Sequence, residues 1–156
     1  MTGQYQLAQV NIARMREPLD SPLLAGFVAR LDDINALADD SPGFVWRLQT
    51  EDGDATALRA YDDVMILVNL SVWESTEHLK NFVYKTQHAE VMKQRKTWFE
   101  RFDGMYYALW WVPNGHRPTV IEAREKLDYL QQRGESEDVF TFANVYTAPS
   151  LMANEA

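Results

Sequence analysis

The sequence holds three histidines, His78, His88 and His116, and no cysteine. Without thiols, disulfides, thiolate catalysis and cysteine-ligated zinc are excluded, which leaves imidazole as the side chain that ordinarily titrates near neutral pH. The three show no HxH, HxxxH or two-histidine-plus-carboxylate spacing, so a dedicated non-haem metal site is weakly supported. His88 keeps the most suggestive company. On a helix, residues three and four apart share a face, which aligns His88, Met92, Arg95 and Phe99 as an apolar wall bearing one cation. An imidazole there could ligate haem iron or act as a general base, although a lone histidine on such a stripe is more often a hydrogen-bonded structural residue.

Asn11, Asn69 and Ser71 pose a second question, because they interrupt strands otherwise rich in apolar residues. A polar group on a buried sheet face costs free energy unless it is bonded. Either these groups satisfy one another and ordered water, or Asn11 donates to the oxygen of a bound ligand. Trp110-Trp111 reads as core more readily than as a cofactor wall, given how aromatics bury. No GxGxxG, phosphate-binding loop or nucleophile elbow occurs, so nicotinamide, nucleotide and serine-hydrolase chemistries lack their first requirement.

Strands and helices must position these groups. Tyr5 to Arg14 alternates, with Ala8, Val10 and Ile12 on one face and Leu7, Gln9, Asn11 and Ala13 on the other. Asp20-Ser21-Pro22 caps a helix in which Leu24, Phe27, Val28, Leu31, Ile34, Asn35 and Ala38 recur at helical spacing, ending near Asp39. Ser41-Pro42-Gly43 turns the chain into a strand from Phe44 to Leu48, and residues 51–63 read as a loop. Val64 to Trp73 is the strongest strand signal, with Val64, Ile66, Val68, Leu70 and Val72 as one continuous apolar face. Ser75-Thr76-Glu77-His78 opens a helix that runs, with a break near Tyr84 to Thr86, to about Phe102. Met105 to Val112 is apolar on both faces, as a central strand covered on both sides would be. Thr119 caps a helix to about Arg133, and Phe140 to Tyr146 reads as a last strand.

The order βαββαβαβ begins with the split-βαβ, ferredoxin-like arrangement, which predicts an α+β fold with an antiparallel sheet and helices on one face. If those helices cover Val10, Val68 and Leu70, the face carrying Leu7, Met65, Leu67 and Trp73 is bare. That much apolar surface requires a cover, and a second copy of the chain is the expected one, giving a homodimer. One domain is expected over 1–147, with a flexible tail over 148–156.

Aromatics make up 12% of the 156 residues, more than a small core consumes, so some are expected to line a pocket. The balance of 15 Lys+Arg against 23 Asp+Glu gives a net charge of -8, which repels phosphate backbones and anionic lipid. Nucleic acid and membrane partners are therefore not expected. The first residues show no basic stretch followed by an apolar run, and a cytoplasmic location is the expectation.

Three stretches carry a resemblance: Asn81-Phe82-Val83-Tyr84-Lys85-Thr86-Gln87-His88, Arg95-Lys96-Thr97-Trp98-Phe99, and Leu109-Trp110-Trp111-Val112-Pro113-Asn114-Gly115-His116-Arg117-Pro118-Thr119. Together they resemble the bacterial family known as domain of unknown function 3291, over nearly the whole chain. The resemblance implies a dimeric α+β barrel, in a superfamily shared with antibiotic-biosynthesis monooxygenases, and no settled activity. A weaker resemblance is to the haem-degrading monooxygenases of that superfamily, whose axial histidine follows a Val-aromatic-Lys segment as His88 follows Val83-Tyr84-Lys85. Their first strand presents an asparagine to haem, the place Asn11 takes here. They also carry a porphyrin-ruffling tryptophan ten residues before the axial histidine, where this chain has His78, a departure that argues against haem degradation.

The expectation is thus a pocket for an apolar or aromatic ligand with oxygenase-type chemistry. His88 would ligate haem or act as base, with Asn11 and Arg95 addressing the substrate, a propionate or bound oxygen. Met65, Leu67, Asn69, Trp73, Tyr84, Met92, Trp98, Phe99 and Trp110 would form the wall. Cofactor-free oxygenation or isomerisation, and a non-catalytic ligand-binding dimer, are the alternatives.

Overall fold

The computed structural model describes residues 5–18, 20–48, 66–85, 95–100 and 106–148, apart from the side chains of 31, 32, 85, 95 and 96. Among them run four strands, β1 (Tyr5–Arg14), β2 (Phe44–Arg47), β3 (Ile66–Trp73) and β4 (Tyr107–Pro113). The helices among them are α1 (Ala25–Asp39), α2 (Thr76–Lys85), α3 (Arg95–Trp98) and α4 (Val120–Arg133). The strands form one antiparallel sheet in the order β2-β3-β1-β4, the ferredoxin-like order of an α+β fold. Asn11 stands opposite Asn69 on β3 and opposite Tyr107 on β4, while Leu7 stands opposite Trp73 and Trp111.

Because side chains alternate along a strand, this register sorts the sheet into two faces. One gathers Ala8, Val10, Ile12, Val68, Leu70, Val72, Ala108, Trp110 and Val112 against Ala123, Leu127 and Leu130 of α4. The other gathers Leu7, Trp73 and Leu109 against Ala38 of α1 and Leu79 and Phe82 of α2. The sequence expectation is corrected here. The face with Leu7 and Trp73 is not bare: α1 and α2 cover it, leaving these two residues 0% and 1% exposed within one chain. The continuous apolar stripe lies under α4, so helices occupy both faces. A second copy is therefore not needed to cover Leu7 and Trp73; Leu67 is half-buried against Met15, Leu24, Trp98 and Phe99, and Met65 lies outside the described residues.

The physical reason is local. Apolar continuity marks a face that is dry throughout, and α4 seals that side with Thr119 capping it through the Glu122 amide. The interrupted face holds the polar groups because the helices above it leave a cavity. Two further expectations change. The segment from Phe140 to Tyr146 is not a strand; Phe140 makes one bridge to Leu109, and the rest is turn and irregular chain. With the order β2-β3-β1-β4, β4 ends the ladder instead of lying centrally, and it is apolar on both faces because both are roofed.

A register shift in β2 has a consequence for the site. Phe44 pairs with Trp73 while Trp46 pairs with Val72, so a bulge puts two residues of one strand against one of the other. Phe44 thereby packs on the α1/α2 side, its ring 5.4 Å from that of Trp73 and nearly perpendicular. Just before it, Gly43 has a φ of +80°, where a Cβ would overlap the His78 ring. The continuation of the second helix over 86–94, the loop over 51–63 and nearly all of the expected tail lie outside the described residues.

Candidate functional site

Between the sheet and helices α1 and α2 lies a cavity of about 260 Å³. Its walls are apolar and aromatic: Phe27, Ile34 and Ala38 of α1, Leu79, Phe82 and Val83 of α2, with Phe44, Phe99, Tyr107 and Phe142. The α1 contributors recur at helical spacing, so one stripe of that helix faces the sheet.

The floor is polar. Gln9, 6% exposed, donates through its amide nitrogen to Asn69 Oδ1 and to Ser71 Oγ, both at 2.7 Å. Asn11 donates to Gln9 Oε1 at 3.1 Å, and its nitrogen lies 3.5 Å from Asn69 Oδ1. The Trp73 indole donates to Ser71 Oγ at 2.9 Å. These five residues form one ladder across β1 and β3, and this network fixes the way each amide points. Gln9 uses both N–H groups and its oxygen inside the ladder. Among the described residues no partner meets the Asn69 amide nitrogen or the Asn11 amide oxygen, and the Ser71 hydroxyl hydrogen is left to donate. The ladder thus satisfies its interior while the cavity-facing groups keep hydrogen-bonding capacity.

Cations border the cavity. Arg47 lines it and is pinned to Asp39, with Nε 2.8 Å from Oδ1. Arg30, an exposed side chain of α1, lines it too, as does Asn35. Tyr84, half-exposed on α2, also borders it. Burial, then the neighbouring Tyr107 and Tyr106, push the Tyr84 phenol above its ordinary value, so at neutral pH it stays a neutral hydroxyl.

Of the residues singled out in the sequence, the cavity brings together Asn11, Leu67, Asn69, Trp73, Tyr84 and Phe99. It does not include Trp98 or Trp110. Trp98 packs among Met15, Leu24 and Phe99, with its ring against Gly26 and Phe27. Trp110 is on the opposite face under α4, donating to Glu122 Oε2 at 3.2 Å. Alternation explains the latter: Trp110 shares the parity of Ala8 and Val72, not that of Leu7 and Trp73. His88, Met92 and Met65 lie outside the described residues, and Arg95 opens α3 with its side chain outside them too. Gln9 was missed as a site residue although it is two positions from Asn11 on the same strand face. That spacing was the available signal. Arg30 sits on the Phe27–Ile34–Ala38 stripe, where a charge at an inward position was the signal.

At about 260 Å³ the cavity is smaller than the roughly 300–1,000 Å³ of pockets for drug-sized ligands. Neither described histidine lines the cavity. His78 Nδ1 is 2.7 Å from Ser75 Oγ, and His116 Nε2 is 2.7 Å from Glu122 Oε1 beside Trp110. Among the described residues no group of three His, Cys, Asp or Glu side chains could hold a metal ion, and no helix is long and apolar enough to cross a membrane.

Comparison with known proteins adds a family and a distant likeness. The family model described as Domain of unknown function (DUF3291) matches residues 6–156. A crystal structure of a protein of unknown function from Nitrosomonas europaea is similar at 13% identity with a TM-score of 0.45, covering 75% of this chain and 96% of that one. No curated protein matches.

Proposed function

This chain belongs to the DUF3291 family, and we propose that it binds a small, mostly aromatic molecule in the cavity under α1 and α2, holding it by one oxygen. The observation that carries this reading is the ladder of Asn11, Gln9, Asn69, Ser71 and Trp73 on the floor of an otherwise apolar cavity. Such a pocket gives affinity through its walls and orientation through a few placed polar groups. A purely structural ladder would have closed on itself, whereas this one keeps a donor on Asn69, a donor on Ser71 and an acceptor on Asn11. The volume equals roughly nine waters at about 30 Å³ each, which suits a single ring with a short substituent.

Oxygenase-type turnover is a second reading, favoured by the same donors. An amide N–H and a hydroxyl aimed at a ligand oxygen stabilise negative charge on it, which a phenolate or enolate needs before it can give electrons to dioxygen. The base in this reading is His88, as expected from the sequence; none of the described lining residues is Asp, Glu or His.

Thermal-shift screening of phenols and aryl ketones against the parent and an Asn69→Leu variant tests binding. The proposal expects hits that Asn69→Leu weakens, and no hits would overturn it. Oxygen uptake in the presence of those hits, abolished by His88→Ala, tests turnover.

A further inference from the structure

We infer that the ligand is an anion, a small aromatic carboxylate whose charged group meets Arg30 at the cavity mouth while its ring lies over the amide floor; this rests on the binding reading above. The cavity is electrically lopsided. Arg30 and Arg47 line it, and no described lining residue is Asp or Glu. That is unexpected in a chain with 23 acidic residues against 15 basic ones.

The two arginines differ in what they have left to offer. Arg47 is held in a two-pronged contact by Asp39, Nε at 2.8 Å and its terminal nitrogen at 3.3 Å, which spends its charge locally. Arg30 has no such anchor: among the described residues no ion pair or hydrogen bond engages its side chain. It shares the α1 stripe with Phe27, Ile34 and Ala38 and is exposed, so it borders the cavity where solvent reaches it. Asn35, also on α1, supplies a second polar group bordering the cavity. A planar guanidinium is matched by a carboxylate, which it binds through two parallel hydrogen bonds. An uncharged ligand would leave Arg30 no better off than water does, whereas a carboxylate gains from it. The chain's net charge of -8 disfavours anions in general, so selectivity for one must come from this residue.

Isothermal titration at low salt with matched pairs tests the inference: 4-hydroxybenzoate against 4-hydroxybenzamide, and 4-hydroxycinnamate against 4-hydroxycinnamamide, on the parent, Arg30→Gln and Arg30→Lys. The parent should bind each acid at least tenfold tighter than its amide, and added salt should reduce that ratio. Arg30→Gln should bring the acid down to the level of the amide while leaving the amide unchanged, and Arg30→Lys should restore part of the preference. Equal binding of acid and amide by the parent, or an acid preference that survives Arg30→Gln, overturns the charge assignment while leaving the cavity as a binding site. Failure of both acids and both amides to bind overturns it together with the binding reading. A normal melting temperature for Arg30→Gln shows that the loss is not one of folding.

Discussion

Gln9 Nε2 lies 2.7 Å from Asn69 Oδ1 across the β1–β3 seam, and the same nitrogen reaches Ser71 Oγ, so one buried amide ties the floor of the cavity together. Gln9→Leu leaves Ser71 and Asn69 short of a donor and Asn11 short of an acceptor. Leaving a buried polar group unpaired costs about 1–3 kcal/mol. At roughly 2–4 °C per kcal/mol for a chain of this size, melting should fall by several degrees. Asn69→Leu, at a more exposed position, should lower the melting temperature less and affect ligand binding more. Calorimetric melts of both variants, with and without a ligand hit, check this ordering.

Trp73 and Trp110 give a matched pair on opposite faces of one sheet, each 1% exposed and each with its indole N–H bonded. Phenylalanine at either position removes a hydrogen bond, a loss of about 1 kcal/mol. Trp73→Phe should also change ligand affinity, since it borders the cavity, while Trp110→Phe should leave affinity as it was. Titration of both variants with the same ligand decides the matter.

Gly43→Ala should be among the most damaging single-methyl additions in the chain. The residue has a φ of +80°, its added Cβ would overlap the His78 ring, and its carbonyl accepts from the Glu74 amide at 2.7 Å. His78 cannot readily withdraw, being bonded to Ser75. A loss above about 2 kcal/mol is expected, from left-handed backbone strain together with the clash. Urea denaturation of Gly43→Ala beside a Gly115→Ala control isolates the clash, since Gly115 has a similar φ of +88° and open space around it.

The sheet was legible in the sequence because period-two alternation is a local signal: Tyr5–Arg14 is read to its ends and the antiparallel split-βαβ sheet is as expected, whereas β4, read as central, stands at the edge. What the sequence did not show was which face each helix covers. Val10 and Leu7 are both apolar, and nothing local says that α4 instead of α1 and α2 lies over Val10. Placing the helices on the wrong face created the bare surface and, with it, the demand for a second copy. Asn11 and Asn69 were singled out because polar interruptions in a strand are conspicuous, and both line the cavity with Trp73. Gln9 was passed over because its role depends on pairing with β3, a contact 60 residues away. Trp110 was assigned to the wall on its residue type, against its parity.

Acid should loosen the segment that carries Phe142 over the cavity. Glu135 accepts from the Thr141 amide and hydroxyl and from the Asn144 side chain. Partial burial alone would raise its carboxyl, but the bonds from Thr141 and Asn144 outweigh that and hold it below the usual value of 4.5. A depressed folded value means the contribution is complete above the unfolded value and disappears as pH falls through the folded one. Glu135→Gln should therefore be less stable than the parent at neutral pH, and the gap should narrow as pH drops below about 4.5. Urea unfolding of both proteins across that range measures it. A gap that is constant with pH would contradict the assignment.

The central claim is that a ligand enters between the sheet and helices α1 and α2, onto the Gln9–Asn69 ladder. Five tryptophans give five indole N–H signals in a nitrogen–proton correlation spectrum, and the Phe variants above assign those of Trp73 and Trp110. Titrating the parent with 4-hydroxybenzoate should move the Trp73 indole signal, whose nitrogen is bonded to the cavity floor, and leave that of Trp110 in place. Movement of Trp110 without Trp73, or saturable binding that moves neither, would contradict the account.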